Sequence, residues 1–345
     1  MSYVPHTREE VEEMLDAIGV SSIEELFKDI GLALRPRSFN LPSGRSEFEV
    51  KEHLEKISSK NNANLISFVG GGFYDHYIPS VVDAIAGRSE FYTPYTPYQP
   101  EISQGLMQAL FEYQSMMADL LEMEVVNSSM YDWASALAEA FLMAVRVKRG
   151  RRRILVPSTM NPFHKSVAKT YTSPKGIMLE EVGYNPETGL MDLEDLDDKL
   201  SGGDVAAVYV ENPSFLGFIE ENAGEVGEAA HEKDALFIVG VDPISLGVLE
   251  APGPLGADIA VGVGQPLGLG LCYGGPYLGI FAVRWDASLV RQMPGRIMGL
   301  TTTKNGERAF AMILQTREQH IRRERATSNI CTCLLYTSPS PRDRG

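Results

Sequence analysis

Over residues 1–62 apolar side chains recur at helical spacing among polar ones. Val11, Met14, Leu15 and Ile18 follow Thr7-Arg-Glu-Glu10, while Phe48, His53, Leu54 and Ile57 follow Ser46. Thr7 to Glu10 and Ser21 to Glu24 fit the capping box, in which a hydroxyl and a carboxylate three residues apart satisfy each other's free backbone N–H. Two short helices are predicted to open the chain and a third to begin near Ser46. The polar stretch Arg35 to Arg45, broken by proline and glycine, separates them. Residues 1–62 read as an N-terminal helical arm and linker, suited either to wrapping a neighbour or to packing on its own domain.

From about Leu65 the period changes. Short, mostly apolar runs at Arg153–Val156, Gly176–Leu179, Val205–Val210, Ala235–Val239, Asp258–Val261 and Tyr277–Val283 have the length and composition of buried strands. Between and around them lie helical patterns: Ile102–Met123, Tyr131–Val147, Phe163–Tyr171, Leu193–Leu200, Asn222–Lys233 and Asn305–Arg325. Strands that are apolar on both faces and alternate with helices predict an α/β domain, residues 63–303, with a mainly parallel sheet covered on both sides. Ligands of such sheets bind in the loops beyond the C-terminal strand ends. Residues 304–332 are predicted to begin a C-terminal region. Residues 333–345, Cys-Leu-Leu-Tyr-Thr-Ser-Pro-Ser-Pro-Arg-Asp-Arg-Gly, have no periodicity and read as a non-native tail.

One loop stands apart. Phe91-Tyr-Thr-Pro-Tyr-Thr-Pro-Tyr-Gln-Pro-Glu101 repeats X-Pro, which excludes helix and central strand and leaves a stiff, extended segment. Its tyrosines either pack the loop down or present polar tips to a ligand or partner.

Composition narrows the classes. With 31 basic and 46 acidic residues the net charge is −15, which argues against a general nucleic-acid or anionic-membrane surface. No apolar run has the length of a membrane span, and the N-terminus lacks a signal-peptide core, so a cytoplasmic protein is expected. Cys272, Cys331 and Cys333 form neither a disulfide framework nor a metal-ligand spacing.

The candidate chemistry lies at the predicted strand ends. Asp242, in Val241-Asp-Pro-Ile-Ser245, follows one apolar strand, and the strand opened by Asp258 leads to Gly262-Val-Gly-Gln-Pro-Leu-Gly268. A strand-end aspartate followed by a strand leading to a lysine is the layout of a large family of pyridoxal-phosphate enzymes, where the lysine forms a Schiff base. No lysine lies between Lys233 and Lys304; Gln265 stands near the expected place. His164, in Asn161-Pro-Phe-His164, is suited to stacking on a cofactor ring or to a structural role. Asn212-Pro213 reads as a turn. Gly70-Gly-Gly72 and Gly274-Gly275 lack phosphate-loop spacings and read as tight turns. Ser128-Ser-Met-Tyr-Asp132 opens a helix, where Ser129 or Asp132 serves as a cap or the helix start receives an anion.

Gly70-Gly-Gly-Phe-Tyr-Asp-His76, Arg88 to Gly105, Asn127-Ser-Ser-Met-Tyr-Asp132, Gly264-Gln-Pro-Leu-Gly268 and Gly274-Gly-Pro-Tyr-Leu-Gly279 together resemble subunit 1 of the glycine decarboxylase P-protein family. The likeness runs from residue 1 to about 332. It implies a fold-type-I, pyridoxal-phosphate-dependent transferase-like large domain followed by a C-terminal small domain, most of which this sequence lacks. It further implies a complex with subunit 2, a two-fold heterotetramer that decarboxylates glycine and passes the aminomethyl group to the lipoyl arm of the H-protein. Pyridoxal 5'-phosphate would be bound covalently by a lysine of subunit 2, and this chain would be inactive alone. On that reading His164 and Asp242 are vestigial cofactor residues, while Tyr95, Tyr98, Gln99, Glu101, Ser129, Tyr131 and Asp132 line a shared channel or interface. The alternative is a stand-alone, non-catalytic binding or scaffold protein of the same fold. The lysine gap argues against an independent transaminase.

Overall fold

The structure, a computed structural model, describes residues 5–31, 40–62, 64–66, 68, 71–92, 97, 99–271, 274 and 277–313. They fall into two compact units divided between Phe68 and Val69.

In the first unit, helix α1 (Arg8–Ile18) starts at a capping box. Thr7 Oγ1 accepts from Glu10 N, Glu10 Oε2 accepts from Thr7 N, and Gly19 closes the helix in the left-handed region. Helix α2 (Glu47–Ser58) repeats the device with Ser46 and Glu49. The second predicted helix is a 3-10 turn, Ile23–Phe27. The expected Ser21–Glu24 box is displaced by one residue, because Ser21 pairs through both its N–H and its hydroxyl with Glu25. None of these elements buries a side chain. The capping boxes of α1 and α2 are each worth about 1 kcal/mol.

The second unit begins with α3 (Ser80–Ala86), α4 (Ser89–Tyr92) and α5 (Gln104–Leu121). The chain then runs through β1 (Val125–Val126), α6 (Trp133–Val147), β2 (Arg153–Pro157), α7 (Pro162–Thr172), β3 (Met178–Val182), α8 (Leu193–Leu200) and β4 (Val205–Glu211). It continues through α9 (Ala223–Glu232), β5 (Leu236–Val241), β6 (Ile259–Val263), β7 (Gly279–Val283), α10 (Ala287–Val290), β8 (Ile297–Thr302) and β9 (Arg308–Ile313).

Seven strands form one sheet in the order β1-β7-β6-β5-β4-β2-β3. All neighbours from β3 to β6 are parallel, and β7 lies antiparallel between β6 and β1. Every residue of β4, β5, β6 and β7 is buried, as expected of strands covered on both faces. Alternate strand residues feed two cores. Ala207, Tyr209, Ile238, Val261 and Phe281 pack with Leu137 and Phe141 of α6, while Val208, Val210, Val239, Ala260 and Ile280 pack with Leu121, Leu196 and Val226 of α5, α8 and α9. Full burial of each valine, leucine, isoleucine or phenylalanine among them contributes roughly 1.5–3 kcal/mol. Helix α6 is buried continuously from Trp133 to Ala144, its alanines allowing close approach to the sheet. The outermost strand β3 is the least covered, which fits its sequence Met-Leu-Glu-Glu-Val.

The predicted helix Asn305–Arg325 is not formed where the chain is described. Arg308-Ala-Phe-Ala-Met-Ile313 is β9, paired antiparallel with β8. The Asn305-Gly306 turn, with Gly306 at φ 84°, and the alternate burial of Phe310 and Met312 explain the difference: the apolar period is two here. Phe310 and Met312 meet Met107 and Leu110 of α5 in a small third cluster. The rest of that predicted helix, the end of the 304–332 region and the 333–345 tail lie outside the described residues. No helix among the described residues is long and apolar enough to cross a membrane.

Candidate ligand cavity at the strand ends

Parallel strands that end side by side expose their following loops at one edge of the sheet, and there the second unit has a cavity of about 210 Å3. Asn161 and His164 reach it from the loop and helix after β2. Glu211 is the last residue of β4, Asp242 follows β5, and Val263 and Gln265 end or follow β6. Gly72, Tyr74 and His76 close it from the segment before α3. Glu211 pairs in register with Gly240, near the C-terminal ends of both strands.

A chain of hydrogen bonds fixes that carboxylate. Trp133 Nε1 donates to the Tyr209 hydroxyl at 3.2 Å, and the hydroxyl donates to Glu211 Oε1 at 3.2 Å. His164 Nδ1 lies 3.4 Å from the same oxygen, and Asn161 N donates to Oε2 at 3.1 Å. The Trp133 and His164 rings meet at 5.0 Å between centroids, tilted by 40°. Glu211 is 4% exposed. Burial, and next the Glu211 carboxylate, push the Tyr209 phenol well above its ordinary value, so Tyr209 stays a neutral donor. Glycine is required beside this network at two positions. A Cβ on Gly240 would fall 2.4 Å from the Tyr209 hydroxyl oxygen; one on Gly72, at φ +88°, would fall 2.8 Å from Asn161 Nδ2.

His164, Asp242 and Gln265, expected at the site, all line the cavity. Gln265 is 2% exposed, and its Nε2 donates to Leu269 O at 2.7 Å. Asp242 is half-buried; its Oδ1 accepts from Ile244 N at 2.9 Å. Gln99 and Glu101 lie on the exposed approach to α5, and Tyr95 and Tyr98 fall outside the described residues. Ser129, Tyr131 and Asp132 are not among the residues lining the cavity. Ser129 is buried at φ 82°, and its N–H donates to Asn127 Oδ1 at 3.1 Å. Asp132 caps α6: its Oδ1 accepts from Ser135 N at 2.7 Å, and the Ser135 hydroxyl accepts from Asp132 N at 3.1 Å. Buried Gln114 locks the same stretch, accepting from the Ser128 hydroxyl at 2.7 Å and from Met298 N at 2.8 Å.

Glu211, Trp133, Gly72 and His76 were not expected at the site. Asn161 and Asn212-Pro213 were the sequence signals nearest to them, since both follow strand ends.

The family model of the glycine cleavage system P-protein matches residues 1–337. The chain belongs to the glycine cleavage system P-protein family. It is 60% identical over 339 residues to the probable glycine dehydrogenase (decarboxylating) subunit 1 of Staphylothermus marinus, spanning 96% of this chain and 72% of that protein. It is 58% identical to the protein of the same description from Aeropyrum pernix, covering 96% and 73%. A crystal structure of glycine decarboxylase P-protein in inhibitor-bound form superposes with a TM-score of 0.87 at 43% identity, over 97% of this chain and 75% of that one. The sphingosine-1-phosphate lyase of Burkholderia pseudomallei shares the fold, with a TM-score of 0.58 at 17% identity over 91% and 72%. The expected α/β architecture of pyridoxal-phosphate enzymes is thus the observed one, and the chain is part of a glycine-decarboxylating enzyme.

The cavity residues do not fit pyridoxal phosphate. A Schiff base needs a lysine, and the described lining contains no lysine or arginine, either for that bond or to balance a phosphate. Two carboxylates, Glu211 and Asp242, face the space instead. At the start of α6, which reaches the wall with Trp133, the Asp132 carboxylate already accepts from Ser135 N.

Proposed function

We propose that this chain is the non-anchoring subunit of a two-subunit glycine decarboxylase. Pyridoxal 5'-phosphate is held covalently by a lysine of subunit 2, and the assembly transfers the aminomethyl group of glycine to the lipoyl arm of the H-protein. The observation that carries this reading is Gln265, 98% buried after β6 in a chain with no lysine from residue 234 to residue 303. The cofactor, when bound in the assembly, supplies the electron sink for the carbanion left by loss of carbon dioxide.

This chain's part is to complete and shape the shared site. The stiff Tyr95–Glu101 loop presents Tyr95, Tyr98, Gln99 and Glu101 to the channel, while Ser129, buried within this chain, positions Tyr131 and Asp132 at the wall of the interface. The low exposure of Ser129 and the capping role of Asp132 support positioning rather than proton transfer for these residues. Carbon dioxide exchange with the glycine carboxyl group tests the proposal. The isolated chain gives none, and addition of subunit 2 and lipoylated H-protein restores it; exchange by the isolated chain refutes the reading. Tyr95→Phe and Tyr98→Phe leave assembly intact and slow decarboxylation, and normal turnover by both variants returns the loop to a packing role.

A further inference from the structure

We infer that the cavity at the strand ends of this chain binds a small organic ammonium ion. Its lining carries two carboxylates, Glu211 and Asp242. Glu211 receives donors from Tyr209 and Asn161 and lies beside His164, leaving about one of a carboxylate's four lone-pair sites for a ligand. Gln265 donates one of its two amide N–H to Leu269 O, and its carbonyl oxygen adds an acceptor to the lining. His76 Nε2 is buried and has no hydrogen-bond partner among the described residues. A buried polar atom without a partner carries a desolvation cost that a ligand hydrogen bond removes.

The remaining walls favour the same charge. Trp133 and Tyr74 line the cavity, and aromatic faces attract cations. Asp242 adds a second carboxylate, and no lysine or arginine among the lining residues competes for either. At about 210 Å3 the space is below the usual range of drug-sized sites, which favours a small ligand. A primary ammonium has three N–H donors for these acceptors and a short carbon stem for the aromatic wall. An anion would meet these two carboxylates with no lysine or arginine among the lining residues to balance its charge.

This site belongs to the chain alone and does not depend on where the cofactor is anchored, so its failure leaves the exchange experiment above untouched. The test is a titration of the full chain with methylammonium chloride, followed by calorimetry and by Trp133 fluorescence. A Trp285→Phe background is used for the fluorescence, because Trp285 is the chain's other tryptophan and is 73% exposed. Saturable binding is expected, absent with sodium chloride at equal ionic strength, with acetate and with pyridoxal 5'-phosphate. Glu211→Gln and Asp242→Asn each weaken it by about tenfold or more, since each removes a charged acceptor. Asp242 is half-buried, so its variant decides the matter if Glu211→Gln does not fold. A response equal to that of sodium chloride, wild-type affinity in the folded variants, or displacement of methylammonium by pyridoxal phosphate overturns the inference.

Discussion

Replacing Tyr209 with phenylalanine removes one oxygen and disturbs three residues at once. The Trp133 indole N–H loses its acceptor, Glu211 Oε1 loses a donor, and the site around Gly240, where the hydroxyl fits against bare backbone, is left with a small gap. A buried donor left unpaired costs about 1–3 kcal/mol, and for a chain of this size each kcal/mol moves the thermal midpoint by about 1–2 °C. The variant should therefore melt roughly 1–6 °C below wild type. Burial and Glu211 hold the Tyr209 pKa far above the unfolded-state value near 10, so the phenol keeps its proton and the difference should be the same at pH 7 and pH 9. A double-mutant cycle with Trp133→Phe isolates the shared bond. Because each single variant already breaks it, the double variant should cost less than the sum by about 0.5–3 kcal/mol. Strict additivity, or a Tyr209→Phe midpoint at or above wild type, would refute the network as described.

Three other outcomes are expected. Gly240→Ala places a methyl 2.4 Å from the Tyr209 hydroxyl oxygen and should destabilise the chain by about 1–3 kcal/mol in urea unfolding; a neutral result would mean the β4–β5 contact yields easily. Asp258→Ala leaves Phe237 N, which donates to Asp258 Oδ2 at 2.7 Å, buried without a partner and strips the carboxylate from His231 and Arg284, costing about 1–3 kcal/mol by the same assay. The Gly183 N–H, and then Lys199, hold the Asp195 carboxyl below its ordinary value, so its contribution is complete above the unfolded value near 3.9 and is lost as pH falls through the lower folded value. Asp195→Asn should lower the urea midpoint at pH 7 and flatten its decline below about pH 4; an unchanged acid limb would contradict this.

Much of the fold was legible because burial on both sheet faces leaves long apolar runs. Val205–Val210 and Ala235–Val239 could hardly be anything but central strands, and α8 ended where its pattern ended, at Leu200. The hairpin of β8 and β9 was missed because Phe310 and Met312 also suit a helix, and the Asn305-Gly306 turn was the decisive clue. Within the cavity, His164, Asp242 and Gln265 could be found because each stands just past a strand end. Glu211 could not, because it closes a wholly apolar strand and its carboxylate is satisfied only by Tyr209, Asn161 and His164 from elsewhere in the fold. The path that brings Gly72 and His76 over the cavity has no local signature. At Asp132 the residues alone left capping and ligand binding open, and the reciprocal bonds with Ser135 supply the capping role.

The central claim is that the enzyme's cofactor is anchored outside this chain. Borohydride reduction of the complete assembly, loaded with pyridoxal 5'-phosphate, fixes the cofactor to the lysine that holds it, and peptide mass analysis then locates it. The account predicts pyridoxyl-lysine on a subunit 2 peptide and none on this chain; a pyridoxyl group on any lysine of this chain would contradict it.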